Sequence, residues 1–194
     1  MRSLAIAITK ILNPFLTSLA TIAIVIFIQQ MPTSQKVLWF VLGVLVAAAP
    51  TLVLYLDYSR KQVSSFWSPE GKERTKAFWA WVGLALIYTI LGYWLAAPRL
   101  VIALALVLLV LGVINLVLSS YFKLSVHSEL VTLFVLVSVL AVSVSLIYLV
   151  ILIPLVGWAR VYLKAHSLSE VSFGVFVSIL VVYLVFAFLG LATF

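Results

Sequence analysis

The sequence has 194 residues, 66% of them hydrophobic, with twelve Lys and Arg, five Asp and Glu and two His, for a net charge of +7. A soluble domain is about half apolar, so composition excludes one, and the absence of cysteine excludes disulfides, thiolate catalysis and Cys-based metal sites. So few histidines and acids give little for a protein-ligated metal or any cofactor, and the basic excess points to lipid headgroups or an anionic substrate, not nucleic acid.

Apolar helices are predicted, in chain order, at 11–29, 37–56, 77–97, 99–118, 127–142, 146–165 and 171–193. Several of these runs reach the 18 or more apolar residues that cross a bilayer core of roughly 30 Å. The expected fold is therefore all-α: a polytopic integral membrane helical bundle of six or seven transmembrane helices, one domain over 1–194. The first thirty residues do not read as a cleaved signal, because Arg2 and Lys10 flank a full-length apolar run without a small-residue cleavage site. Pro32 marks the first turn, "DYSRKQVSSFWSPEGKERTK" (57–76) is the longest polar segment, and Pro98–Arg99 close a tight hairpin.

The stretch 130–158 carries no charge in 29 residues. As one helix it would measure about 43 Å, too long for hydrocarbon without strong tilt. As a hairpin it would turn at "AVSVS" (141–145), which has no Gly, Pro or charge. The hairpin is the preferred reading. It puts the N-terminus and the 57–76, 119–129 and 159–170 segments on one side of the membrane, with ten of the twelve bases and both histidines. The excess of bases leans that face toward the cytoplasm. Without the seven bases that could serve a pocket (Lys61, Lys72, Arg74, Lys76, Lys123, Arg160 and Lys164) the count is three against two, and sidedness stays open.

Ionisable groups are expensive in a bilayer, and three charges and a histidine fall within "ARVYLKAHSLSE" (159–170). Its pattern, Ala159-Arg160, five residues, His166, three residues, Glu170, resembles the third signature of the type 2 phosphatidic acid phosphatase (PAP2) superfamily. "KLSVHS" resembles a relaxed second signature through Ser125, Val126 and His127. "RKQVSSFWSPEGKERTK" resembles a stretched first signature, with Arg74 and either Lys61 or Lys72 as candidates. The likeness covers about residues 57–175. Departures from the pattern are Glu170 for Asp, Ala159 for Ser, Val126 for Gly and Thr75 for Pro. A β-branched Val126 restricts the backbone where the family's Gly lets amides approach a phosphate.

The resemblance implies a PAP2-like bundle and a metal-independent hydrolase acting on a lipid phosphate monoester or pyrophosphate, such as a polyprenyl diphosphate or a phosphatidic-acid-like lipid. His166 is the implied nucleophile, forming a phosphohistidine, with Glu170 orienting it and His127 acting as general acid and then base. Phosphate binding falls to Arg160, Arg74, Ser125, the Val126 amide and lysines drawn from Lys61, Lys72 and Lys123, because guanidinium forks and helix amides match phosphate oxygens. Six residues separate Arg160 from His166, so a continuous helix would point them apart; the helix is expected to end near Lys164 with His166 in the following turn.

Plainer readings stand beside these. Ser167-Leu168-Ser169-Glu170 is also a capping box. Lys164 and Arg160 could be interfacial anchors beside Trp158 and Tyr162, the preferred reading for Lys164 alone. Asn115 reads as an interhelical hydrogen bond. A lipid phosphotransferase using the same site and a non-catalytic lipid-phosphate-binding protein are the alternatives to hydrolysis.

Overall fold

Asn13 and Pro14 separate two helices at the start of the chain. In the computed structural model, which describes residues 1–65 and 72–191, helix α1 spans Arg2–Ile11 and α2 spans Pro14–Phe27, with a bend of 41° between them. Asn13 makes the joint. Its Oδ1 accepts the Leu16 amide at 3.0 Å and its Nδ2 donates to the Lys10 carbonyl at 2.6 Å, so one side chain caps α2 and closes α1. Pro14 occupies the first helical position, where its missing N–H is no loss. The expectation of a single helix at 11–29 is corrected accordingly: residues 2–11 form a helix of their own.

The chain continues through α3 (Thr33–Ser59), a 3-10 turn at Lys72–Arg74 and α4 (Thr75–Trp94). It ends with α5 (Arg99–Leu118), α6 (Val126–Val137), α7 (Leu152–Tyr162) and α8 (Leu168–Phe188). Among the described residues the secondary structure is entirely helical. Among the described residues five helical segments are long and apolar enough to cross a membrane, six if α1 and α2 count as one bent span, consistent with a multi-pass membrane protein. The α5 bounds match the sequence reading. For α8, the predicted end at 193 lies outside the described residues.

Residues 130–158 do double back. Helix α6 loosens into one π-helical turn at Ser138–Val142, the chain extends at Ser143, and a 3-10 segment at Val144–Ile151 leads into α7. Ser143 makes the break tolerable without Gly or Pro. Its Oγ accepts the Ser145 amide at 3.2 Å, and its own amide donates to the Ser138 carbonyl at 3.2 Å. The returning arm packs on α6 through Val131, Val135 and Val156.

Two compact units emerge: residues 1–30 with 124–194, and residues 31–123. In the first, α6 packs against α2, α7 and α8, and α1 lies along α7. In the second, α4 packs against α3 and α5. There the Tyr88 hydroxyl donates to the Trp39 carbonyl at 3.4 Å, with the two rings 5.9 Å apart. Asn115 is buried in α5 and donates to the Leu111 carbonyl of its own helix at 2.9 Å.

Candidate functional site

The first unit gathers a polar cluster where α6 begins, α7 ends and α8 begins. Each of these termini has a local cause.

Helix α7 ends in a tight reversal. The Ala165 amide donates to the Arg160 carbonyl at 3.0 Å and the Lys164 amide to the Val161 carbonyl at 2.9 Å, with Lys164 at φ 55°. This is a Schellman motif, with lysine at the left-handed position that glycine usually fills. It brings the chain back on itself, and the His166 amide also donates to the Arg160 carbonyl, at 3.3 Å. The helix therefore ends at Tyr162 and His166 sits in the turn, as the six-residue spacing required. Lys164 serves as the turn residue, whatever its ammonium does at the surface.

Helix α8 starts three residues earlier than its apolar run suggests, because Ser167 and Glu170 form a complete capping box. The Ser167 Oγ accepts the Glu170 amide at 3.3 Å, and Glu170 Oε2 accepts the Ser167 amide at 2.9 Å. The same Oε2 lies 3.2 Å from His166 Nδ1. Capping and imidazole contact thus coexist on one oxygen. An ionised carboxylate only accepts, so this contact puts the ring proton on Nδ1 and leaves the Nε2 lone pair on the opposite side.

Helix α6 starts at Val126 after Ser125. The Ser125 hydroxyl is paired with that of Ser128 at 3.0 Å and does not cap a backbone amide. The Ser125 amide reaches the Glu170 carbonyl at 3.4 Å, tying the start of α6 to the first turn of α8. The first intrahelical bond is Glu129 N–H to the Ser125 carbonyl at 3.0 Å, so the amides of Val126, His127 and Ser128 are first-turn donors outside the helical ladder. Val126 has ordinary helical backbone and is not among the positive-φ residues. A β-branched side chain there does not prevent a helix start whose first-turn amides stay outside the helical ladder.

His127 and Arg160 are both buried, His166 nearly so. The His127 imidazole lies within electrostatic range of Arg160 and His166 and against the backbone carbonyl of Thr9 in α1. It sits in the first turn of α6, ahead of the apolar run that begins at Leu130. Burial first, then the charges of Arg160 and His166, push its pKa well below the usual histidine value, and the Thr9 carbonyl opposes them. Its Nε2 is buried and finds no hydrogen-bond partner among the described residues.

Of the predicted site residues, the first unit brings together His127, His166, Glu170, Arg160, Ser125 and Val126. Arg74, Lys61, Lys72 and Lys123 belong to the second unit. There Arg74 is buried, with its guanidinium 5.3 Å from the Phe78 ring centroid. Lys61 is exposed at φ 58° in the Schellman turn that ends α3, Lys72 is exposed on the 3-10 turn, and Lys123 is half-buried. In the same unit Glu73 of the 3-10 turn accepts both the amide and hydroxyl of Ser64 at 2.8 Å, and Asp57 near the end of α3 pairs with Lys76 of α4 at 3.6 Å.

Two contributors escaped the sequence reading. Thr9 acts through a backbone carbonyl, which has no sequence signature. Glu129, fully buried in the first turn of α6, looks in sequence like one more interfacial acid. Among the described residues no three side chains of His, Asp or Glu converge as a metal-ligand group. No family model, no curated protein and no solved structure matches this sequence.

Proposed function

We propose that the histidine cluster of the first unit is the centre of a metal-independent membrane phosphatase of PAP2 type. It would hydrolyse a lipid phosphate monoester or pyrophosphate. The observation that carries this reading is that His127 lies within electrostatic range of both His166 and the buried Arg160, with the His166 ring held through Nδ1 by the Glu170 carboxylate.

In this mechanism Arg160 and the first-turn amides of α6 hold the phosphoryl oxygens, on which charge remains spread during transfer. His166 Nε2 attacks phosphorus. The phosphorus–oxygen bond to the lipid breaks, and the leaving oxygen takes from His127 the proton that the bound anion has drawn onto its ring from solvent. The phosphohistidine is then opened by water, whose proton goes to His127, and the phosphorus–nitrogen bond breaks to release phosphate. Glu170 stabilises the positive charge that His166 carries as the bond forms. A surface position for this chemistry fits a lipid whose headgroup meets water while its chain stays in hydrocarbon. The assignment of Arg74 and a lysine of the second unit to the phosphate rests on the motif resemblance.

The test is phosphate release by purified protein in detergent across polyprenyl diphosphates, phosphatidic acid and phosphatidylglycerol phosphate. Release from at least one substrate, lost in both His166→Ala and His127→Ala, is the expected result. Full activity in either variant refutes the mechanism. Transfer of the phosphoryl group to an added alcohol in place of release would assign the same site to a phosphotransferase.

A further inference from the structure

We infer that α1 is a surface helix that binds the headgroup layer of an anionic bilayer and forms one wall of the histidine site. The contact with lipid stands on the helix itself; its consequence for catalysis rests on the proposed histidine chemistry.

Helix α1 has three faces. Ala5, Ile8 and Thr9 are buried, and the first two pack with Ala159, next to Arg160. Leu4 and Ile11, seven residues and therefore two turns apart, share a second edge and are 53% and 67% exposed. Ser3 and Lys10, also seven apart, share a third edge, with Arg2 about a quarter turn further round beyond Ile6, and all four are exposed. A protein-facing side, an apolar edge and a basic edge are what a helix needs to lie flat at the boundary of headgroups and acyl chains.

Two further observations commit the occupant. No acidic residue precedes Asp57 in the sequence, so Arg2 and Lys10 have no local counter-charge along α1 and α2. Each base adds about fivefold to partition onto an anionic leaflet. The 41° bend at Asn13–Pro14 also turns α1 away from the axis of α2. Were α1 a straight continuation of α2, Lys10 would be carried toward hydrocarbon, where an ammonium is heavily penalised. The buried face then gives the lipid contact a structural effect, because the Thr9 carbonyl against His127 and Ala5 against Ala159 make α1 part of the enclosure around both side chains.

The chain has no cysteine, so single spin labels can be placed without background. Leu4→Cys and Ser3→Cys, labelled separately in the full-length protein, are reconstituted in phosphatidylcholine vesicles with and without phosphatidylglycerol. Collisions with oxygen and with a water-soluble nickel chelate report depth. The Leu4 label is expected to favour oxygen and the Ser3 label the chelate, with the contrast severalfold larger when phosphatidylglycerol is present. Adding Arg2→Gln and Lys10→Gln to the labelled chain should remove that lipid dependence. Equal chelate exposure of both labels, oxygen preference at both, or a contrast indifferent to phosphatidylglycerol would each overturn the proposal. The labels read depth and not turnover, so a protein that releases no phosphate sinks the hydrolase reading and leaves this one to be decided separately.

Discussion

Glu170 lies four residues after His166, and one of its oxygens serves both the imidazole and the helix that follows: Oε2 is 3.2 Å from His166 Nδ1 and accepts the Ser167 amide at 2.9 Å. Two substitutions separate these duties. Glu170→Gln keeps an acceptor for the amide but removes the negative charge and frees the imidazole to take the other tautomer. It is expected to lower phosphate release by about 10²–10⁴-fold with little loss of stability. Ser167→Ala removes half of the capping box and should cost about 1 kcal/mol while leaving the rate within a few-fold. Rates and thermal unfolding of both variants in detergent check the division. Equal kinetic defects would show that Glu170 matters only as a cap.

His127 makes a second prediction, about pH. Burial, Arg160 and His166 hold its folded-state pKa below the ordinary value, so between that ordinary value and the folded one the unfolded chain binds the extra proton. The stability contributed by neutral His127 is thus fully present above about pH 6.5 and declines as pH falls through the window beneath it. His127→Gln should flatten the acid side of the stability profile. An anion bound beside the ring reverses the balance and draws the proton on. Vanadate binding is therefore expected to take up a proton in wild-type protein and less in His127→Gln, measurable by calorimetry in buffers of different ionisation enthalpy.

The sequence made the site's outline legible where its chemistry depends on side-chain spacing. The interval from Arg160 to His166 demanded a helix end, and Ser167 with Glu170 announced a helix start; both are found. Length alone does not decide the return of the uncharged stretch after Leu130; the preference for a hairpin comes from the motifs it would bring to one side. What stayed hidden is made by backbone. The end of α7 is a Schellman turn without glycine, as are the ends of α3 at Lys61 and of α4 at Ala96, so the usual residue signal is missing. The break at Ser143 uses a serine's local hydrogen bonds in place of Gly or Pro. Helix α1 is too short, and too interrupted by Arg2 and Lys10, to register as an apolar run.

Gly174 decides how closely α8 approaches the start of α6. A Cβ there would lie 3.1 Å from the Ser125 carbonyl oxygen and 3.4 Å from Glu129 Cγ, and the backbone oxygen cannot rotate away. One turn on, the Ser178 hydroxyl donates to the Glu129 carbonyl at 2.9 Å, so the two helices are pinned on both sides of the glycine. Gly174→Ala should destabilise by about 1–3 kcal/mol through overpacking. It should also slow catalysis by shifting Glu170 relative to Ser125. Gly83 is the control, since nothing lies within 4 Å of its added Cβ. Gly83→Ala is expected to be neutral or to gain about 0.5–1 kcal/mol from helix propensity.

Lys164 pays a conformational cost for the turn that returns His166 to Arg160. At φ 55° its Cβ crowds the following carbonyl, a strain of about 1–2 kcal/mol for a residue other than glycine. Glycine relieves the strain but loses more entropy on folding, by roughly 0.5–1 kcal/mol. The difference leaves Lys164→Gly more stable by about 0–1.5 kcal/mol. Lys164→Val should be less stable than wild type, because branching at Cβ worsens the left-handed conformation. Unfolding temperatures of the three proteins should rank Gly above Lys above Val. If the turn rather than the ammonium is what the site needs from position 164, Lys164→Gly should also keep full phosphate release. A large loss of activity in a stabilised Lys164→Gly protein would instead give the ammonium a direct part in binding the anion.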